Sequence, residues 1–182
     1  MAISLRREAL PMKPFNWRDL AEIIGFVAIV GSLIFVGLQL RQSQEIAIAS
    51  QYQERASTAV EYYSSQMQNE RATTDRAEEI AAAVSSGKAS PALQSLIENR
   101  SPESVGIWFY RHRVFFVMLD NFHFQYRSGF MAEESWDAFR RQLRDELSND
   151  ATAAYYRDYG SNFRESFEEL CDQILQEIES GK

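Results

Sequence analysis

Cysteine, histidine, proline and glycine are all scarce in this 182-residue chain, at one, two, four and eight residues. The single cysteine, Cys171, excludes an internal disulfide and a zinc cluster built on cysteines. So few glycines and prolines leave few turns, which favours helices over a many-stranded sheet. Basic charge is also short, with 19 Lys and Arg against 26 Asp and Glu and a net charge of −7. An acidic body is poorly suited to wrapping nucleic acid, because phosphate contacts need Lys and Arg. No internal repeat is visible, and no segment alternates convincingly with period two. No catalytic motif stands out, so an enzyme is not expected and no cofactor is called for. What the chain does have is apolar and aromatic content, 45% and 13%, with 12 Phe and 8 Tyr. That is enough for a packed core and argues against disorder.

The charge is uneven. Residues 1–40 are net +1, with Arg6, Arg7, Lys13 and Arg18 against Glu8, Asp19 and Glu22, and the remainder is net −8. Between Glu22 and Arg41 lie eighteen uncharged residues, IIGFVAIVGSLIFVGLQL. At the α-helical rise this run covers roughly 27 Å, close to the hydrocarbon thickness of a bilayer. Trp17 and Phe15 stand where interfacial anchors would, and Asn16 with Asp19 resembles a helix N-cap with an acidic third residue. A cleaved signal peptide fits less well. The apolar run is too long, and Arg41 and Glu45 separate it from the AIA at 47–49. An uncleaved single span is expected. Four basic groups precede it and two, Arg41 and Arg55, follow closely, which leans toward a cytoplasmic N-terminus by a small margin.

No Gly or Pro stops the helix after Gly37. A single stripe, read at steps of four and three, holds Ala21, Gly25, Ala28, Ser32, Phe35 and Gln39 within the apolar run. It continues outside through Gln42, Ile46, Ala49, Gln53, Ala56, Val60, Tyr63 and Met67. The unbroken register predicts one helix from about Trp17 to about Gln68, roughly 75 Å long. Small side chains at Ala21, Gly25, Ala28 and Ser32 let another backbone approach closely, so a partner helix from this or another membrane protein is expected there. Outside the membrane, the stripe is expected to pack on the chain's own C-terminal helices.

Residues 73–90 read as a short helix with a Thr or Asp start and a stop near Gly87, and SPALQSLIENR as another with Pro91 in its first turn. The segment from Ser101 to Gly129 is the clearest helix of the body. Ser101 caps it, Pro102 opens it and Gly129 closes it. Apolar residues on most of its sides mark a central helix. Arg111, His112, Arg113, Asp120, His123 and Arg127 argue against a second span. EESWDAFRRQLRDEL, DATAAYYRDYG and SNFRESFEELCDQILQEIES complete the set, the last with Ser161 as its expected cap. The expected fold is all-α: a single N-terminal transmembrane helix continuing as a long stalk helix, packed with a C-terminal helical bundle. The expected divisions are an N-terminal tail 1–16, a span 17–41, a stalk 42–69 and a bundle 70–182.

Two stretches carry a family resemblance. One is the span ending in Gln39, Leu40, Arg41 and Gln42. The other holds Asn121, Gln125, Tyr126, Arg127 and Gly129, with Trp136 following. This arrangement resembles a widespread group of small, uncharacterised bacterial membrane proteins with one N-terminal span and an all-α soluble domain. The resemblance covers nearly the whole chain after residue 16 and implies a bacterial inner membrane. It implies no activity. Members of that group often carry more basic residues after the span than before it, so the resemblance does not fix the side of the soluble domain.

Candidate chemistry is thin. Asp120 and His123 are one turn apart, with His112 three turns earlier, but a di-metal bundle site would need a second such motif and none exists. No metal site is assigned. Asn121, Gln125 and Arg127 cluster on one turn. Arg127 suits a carboxylate, a phosphate or a lipid headgroup, or it pairs with Glu133 or Glu134. Cys171, beside Leu170 and Ile174, reads as a buried, inert thiol. Arg140, Arg141 and Arg144 form a basic patch open to a partner or to solvent. The expected role is therefore a membrane-anchored interaction or scaffold protein, an accessory or stabilising component of a membrane complex or a homo-oligomer through its stalk. Its expected partners are the lipid bilayer and another membrane protein or itself, with no nucleic acid. The alternative is a membrane-tethered ligand-binding or sensory domain with a pocket near Asn121 and Arg127. An enzyme would need His112 or His123 to meet a carboxylate in a cleft.

Overall fold

The computed structural model describes residues 16–181. The expected tail, with its basic groups and the proposed anchor Phe15, lies outside the described residues except for Asn16. Among the described residues every regular element is helical, so the all-α expectation holds. The order is α1 (Trp17–Met67), α2 (Glu70–Ser85), α3 (Ala92–Glu98), α4 (Pro102–Arg127), α5 (Glu133–Leu147), α6 (Asp150–Tyr159), a 3-10 turn (Gly160–Asn162) and α7 (Glu165–Glu179).

The chain divides into two compact units, Met1–Ala47 and Ile48–Lys182, and α1 contributes to both. In the first unit α1 presents its apolar side chains to the outside. Its 18-residue window of highest hydropathy averages 2.4 and has none of its residues buried, and it is the one helix among the described residues long and apolar enough to cross a membrane. Ser32 Oγ donates to the Ala28 carbonyl, which satisfies the hydroxyl without an outside partner.

In the second unit the stripe turns inward. Ala49 is buried, and Tyr63 and Met67 pack on the core. The central place of α4 is as expected: Val105, Trp108, Phe109, Phe116 and Leu119 are buried along it. Tyr155 of α6 is the hub of the aromatic packing. Its ring lies 5.2 Å from Phe109, 5.6 Å from Phe116 and 5.9 Å from Trp108. Aromatic pairs at these separations add to the area they bury. The amphipathic helices α5 and α7 close the unit through Trp136, Leu143, Leu147, Phe167, Cys171 and Ile174.

Two helix starts differ from the sequence reading. Helix α2 begins at Glu70, not at a Thr or Asp, because Asn69 caps it by accepting from the Ala72 N–H at 3.2 Å. Thr73 is then interior and fully buried, with its hydroxyl donating back to the Glu70 carbonyl. Helix α7 begins at Glu165 and is not capped by Ser161. Residues 160–162 wind as a 3-10 turn instead, and Arg164, the residue before α7, sends its side chain across to α4.

Candidate functional site

The body binds the C-terminal part of α1 through one polar face of α4. Asn121 Nδ2 donates to Gln53 Oε1 at 2.7 Å, and Gln125 Nε2 donates to the Ala49 carbonyl at 3.4 Å. A step of four forward on α4 matches a step of four back on α1, so the two helices run antiparallel here. Farther along, Arg113 Nε donates to the Tyr63 hydroxyl at 3.2 Å. Arg164 completes the face. It pairs with Asp120 at 3.0 Å, donates to the Asp120 carbonyl at 2.9 Å, and lies over the rings of Phe124 and Tyr52 at 4.6 and 5.0 Å. Tyr52 and Phe124 themselves touch, with ring centroids 4.3 Å apart. A charge held by a partner, a carbonyl and two aromatic faces fixes position more than it adds stability.

The sequence candidates divide accordingly. Asn121 and Gln125 come together, but their amide nitrogens are engaged with α1 and not with an open pocket. Arg127 is exposed, and among the described residues neither Glu133 nor Glu134 pairs with it. Asp120 is taken by Arg164. His123 is buried against Trp136 and Phe167, with burial first and Arg127 second holding its pKa below the usual value. His112 lies elsewhere, and no group of three or more metal-ligating side chains occurs among the described residues. Cys171 is fully buried, and burial pushes its thiol up. Of the basic patch, Arg140 and Arg144 reach Glu177 of α7 at 3.8 and 2.7 Å. The Gln173 amide, then those guanidiniums, hold the Glu177 carboxyl below the usual range. Ala21, Gly25, Ala28 and Ser32 all stay exposed on α1.

The sequence reading missed a polar groove of about 600 Å³ lined by residues of α3, α4, α5 and α6. His112 is its buried wall. The Trp108 carbonyl can only accept, so His112 Nδ1 carries the proton and donates to it at 2.8 Å; Nε2 then accepts from Thr152 Oγ1 at 3.1 Å. Glu146 lies 3.8 Å from the same ring, and Arg100 and Arg111 line the groove without a carboxylate partner among the described residues. A hydroxyl, an oriented imidazole and a carboxylate do meet in a cleft. Burial, however, holds the His112 pKa down to about 4, and so weak a base does little general-base work at neutral pH. The signal for this groove is long-range: Thr152 is forty residues from His112.

His112 makes the fold acid-sensitive. Its pKa falls from 6.5 to about 4 on folding. The unfolded chain therefore takes up a proton first as pH falls. The contribution is complete above about pH 6.5, declines as pH drops and is gone below about pH 4, roughly 3 kcal/mol in all. Denaturant melts at pH 7 and pH 4.5 are expected to differ in the native chain and to differ much less in His112→Gln. Imidazole NMR should show His112 still neutral at pH 5; a midpoint near 6.5 would contradict its burial.

No protein-family model matches the chain, and no curated protein or solved structure is significantly similar to it.

Proposed function

We propose that this chain is a single-pass, membrane-anchored interaction module. Its helical bundle is held at the membrane by α1 and scaffolds, stabilises or tunes a membrane complex. The observation that carries the reading is one helix with two characters. Its first part offers exposed Ile, Val, Leu and Phe side chains over a membrane-length run, and its second part is clamped to the bundle by Asn121, Gln125 and Arg164. The likeness to small bacterial inner-membrane proteins, carried by Gln39–Gln42 and Asn121–Gly129, points to the same location and supports no activity. Small side chains at Ala21, Gly25, Ala28 and Ser32 offer a seam for another helix, from this chain or a foreign one.

A sensory domain with a pocket at Asn121 and Arg127 is supported less, since the amides that would greet a ligand hold α1. An enzyme is supported less again, given the depressed basicity of His112.

The test is the composition of the assembly in native membranes. Tagged after Lys182, extracted gently and run on native electrophoresis, the chain is expected in a discrete band. Mass spectrometry should find other membrane proteins in it at fixed ratio. A band of this chain alone, at a multiple of its mass, would select the self-associating form. A lone monomer would overturn the scaffold reading.

A further inference from the structure

We infer that the groove at His112 binds a small zwitterion, an amino acid or short peptide with a free carboxylate and a free ammonium group. Such a site goes beyond the membrane-anchored role and does not depend on it. The groove carries two charges of each sign. Arg100, in the α3–α4 connection, and Arg111, on α4, supply the positive ones. Glu146, in the last turn of α5, and Asp150, the first residue of α6, supply the negative ones. Among the described residues no carboxylate pairs with either arginine, and no Arg or Lys pairs with either acid. Glu146 does lie 3.8 Å from His112 Nε2, but that nitrogen accepts from Thr152 Oγ1 and has no proton to give. Exposed charges elsewhere on the bundle do find partners: Arg76 reaches Glu79 at 2.6 Å and Arg157 reaches Glu179 at 2.7 Å.

Guanidinium and carboxylate gain a charge-assisted bond when they meet. In this groove they stand apart, so each sign is left for a molecule that brings its opposite. A simple anion would find the arginines but also both acids, and a simple cation would meet the reverse. A zwitterion satisfies both signs at once. The buried wall sharpens the choice. His112 and Thr152 are 3% and 2% exposed and bonded to each other at 3.1 Å. Charges beside a dry wall act through a lower dielectric, and a cleft focuses their field. The volume of about 600 Å³ falls within the range of small-molecule sites. It has room for a tripeptide, roughly 10 Å long when extended.

The test is calorimetric titration of the full chain in detergent micelles with four probes: L-alanine, trialanine, N-acetyl-trialanine and trialanine amide. L-alanine or trialanine is expected to bind, and the tighter of the two tells amino acid from peptide. For trialanine, blocking either end should weaken binding by about tenfold. Arg100→Gln with Arg111→Gln should remove the difference between trialanine and its amide. Glu146→Gln with Asp150→Asn should remove the difference between trialanine and its N-acetyl form. If L-alanine binds and trialanine does not, acetate and methylamine replace the blocked peptides, and each should bind at least about tenfold more weakly than L-alanine. Equal binding of blocked and free probes overturns the site, as does no binding of either L-alanine or trialanine up to about 10 mM. Weakening on amidation alone, with N-acetylation harmless, also overturns it, since that marks a site for a simple anion. The comparison of probes on the native chain needs no variant, so a variant that fails to fold does not shelter the proposal.

Discussion

Gly106→Ala is expected to destabilise the bundle by about 3 kcal/mol, read as a fall of roughly 10 °C in melting temperature. Intrinsic propensity predicts the opposite sign, because alanine gains about 0.5–1 kcal/mol over glycine inside a helix. Packing decides the matter. A Cβ at Gly106 would run into the Thr73 carbonyl oxygen and lie 2.5 Å from the carbonyl carbon and Cα of the same residue. Those are backbone atoms of α2, and α2 is itself fixed by fully buried Thr73 and Ile80. Neither helix can yield by a rotamer change. The backbones must move apart, which opens the contact of Ala77 and Val105 with the core. Because the obstacle is main chain, no substitution at Thr73 relieves it, and Thr73→Ser combined with Gly106→Ala should melt no higher than Gly106→Ala alone. Calorimetry of the two variants checks this. A rise in melting temperature for Gly106→Ala would mean that α2 and α4 do not cross this closely.

The same residue shows where sequence stops being legible. Gly106 sits inside a helix whose cap, first-turn proline and closing glycine are all local signals, and those were readable: Ser101 accepts from the Ser104 N–H, and Gly129 has positive φ. That Gly106 faces Thr73 is a tertiary fact with no local trace. The continuity of α1 was likewise readable, because a stripe holding one register needs only the chain itself. Its partner was not. Asn121 and Gln125 looked like a ligand patch by type, and only the antiparallel register with Ala49 and Gln53 turns them into a clamp. Ser161 has the right chemistry for a cap, but residues 160–162 wind as a 3-10 turn, and Arg164, paired with Asp120 and lying over the Phe124 ring, is the residue before α7. The groove at His112 draws on four helices, so no window of sequence contains it.

Phe26→Arg combined with Leu33→Arg is expected to release the chain from membranes. Both side chains are exposed, at 68% and 67%, so nothing among the described residues covers them. Leu33 lies near the centre of the uncharged run, where an arginine costs about 3 kcal/mol of insertion free energy; at Phe26, four residues into the run, it costs less, so the pair lowers the partition ratio by more than about two orders of magnitude. The native chain should stay with the pellet through an alkaline carbonate wash, and the double variant should appear in the supernatant. A buried core helix would respond differently, since two buried arginines would unfold it. Here the near-ultraviolet spectrum and melting of the bundle should hold to within about 0.5 kcal/mol, because neither position touches the core. A removable signal sequence is separated by mass: the membrane-bound form should retain α1, including Phe26 and Leu33. A double variant that keeps its membrane association, or a pelleted form that lacks α1, would sink the anchored reading. The clamp at Asn121, Gln125 and Arg164 would then serve the packing of the bundle alone.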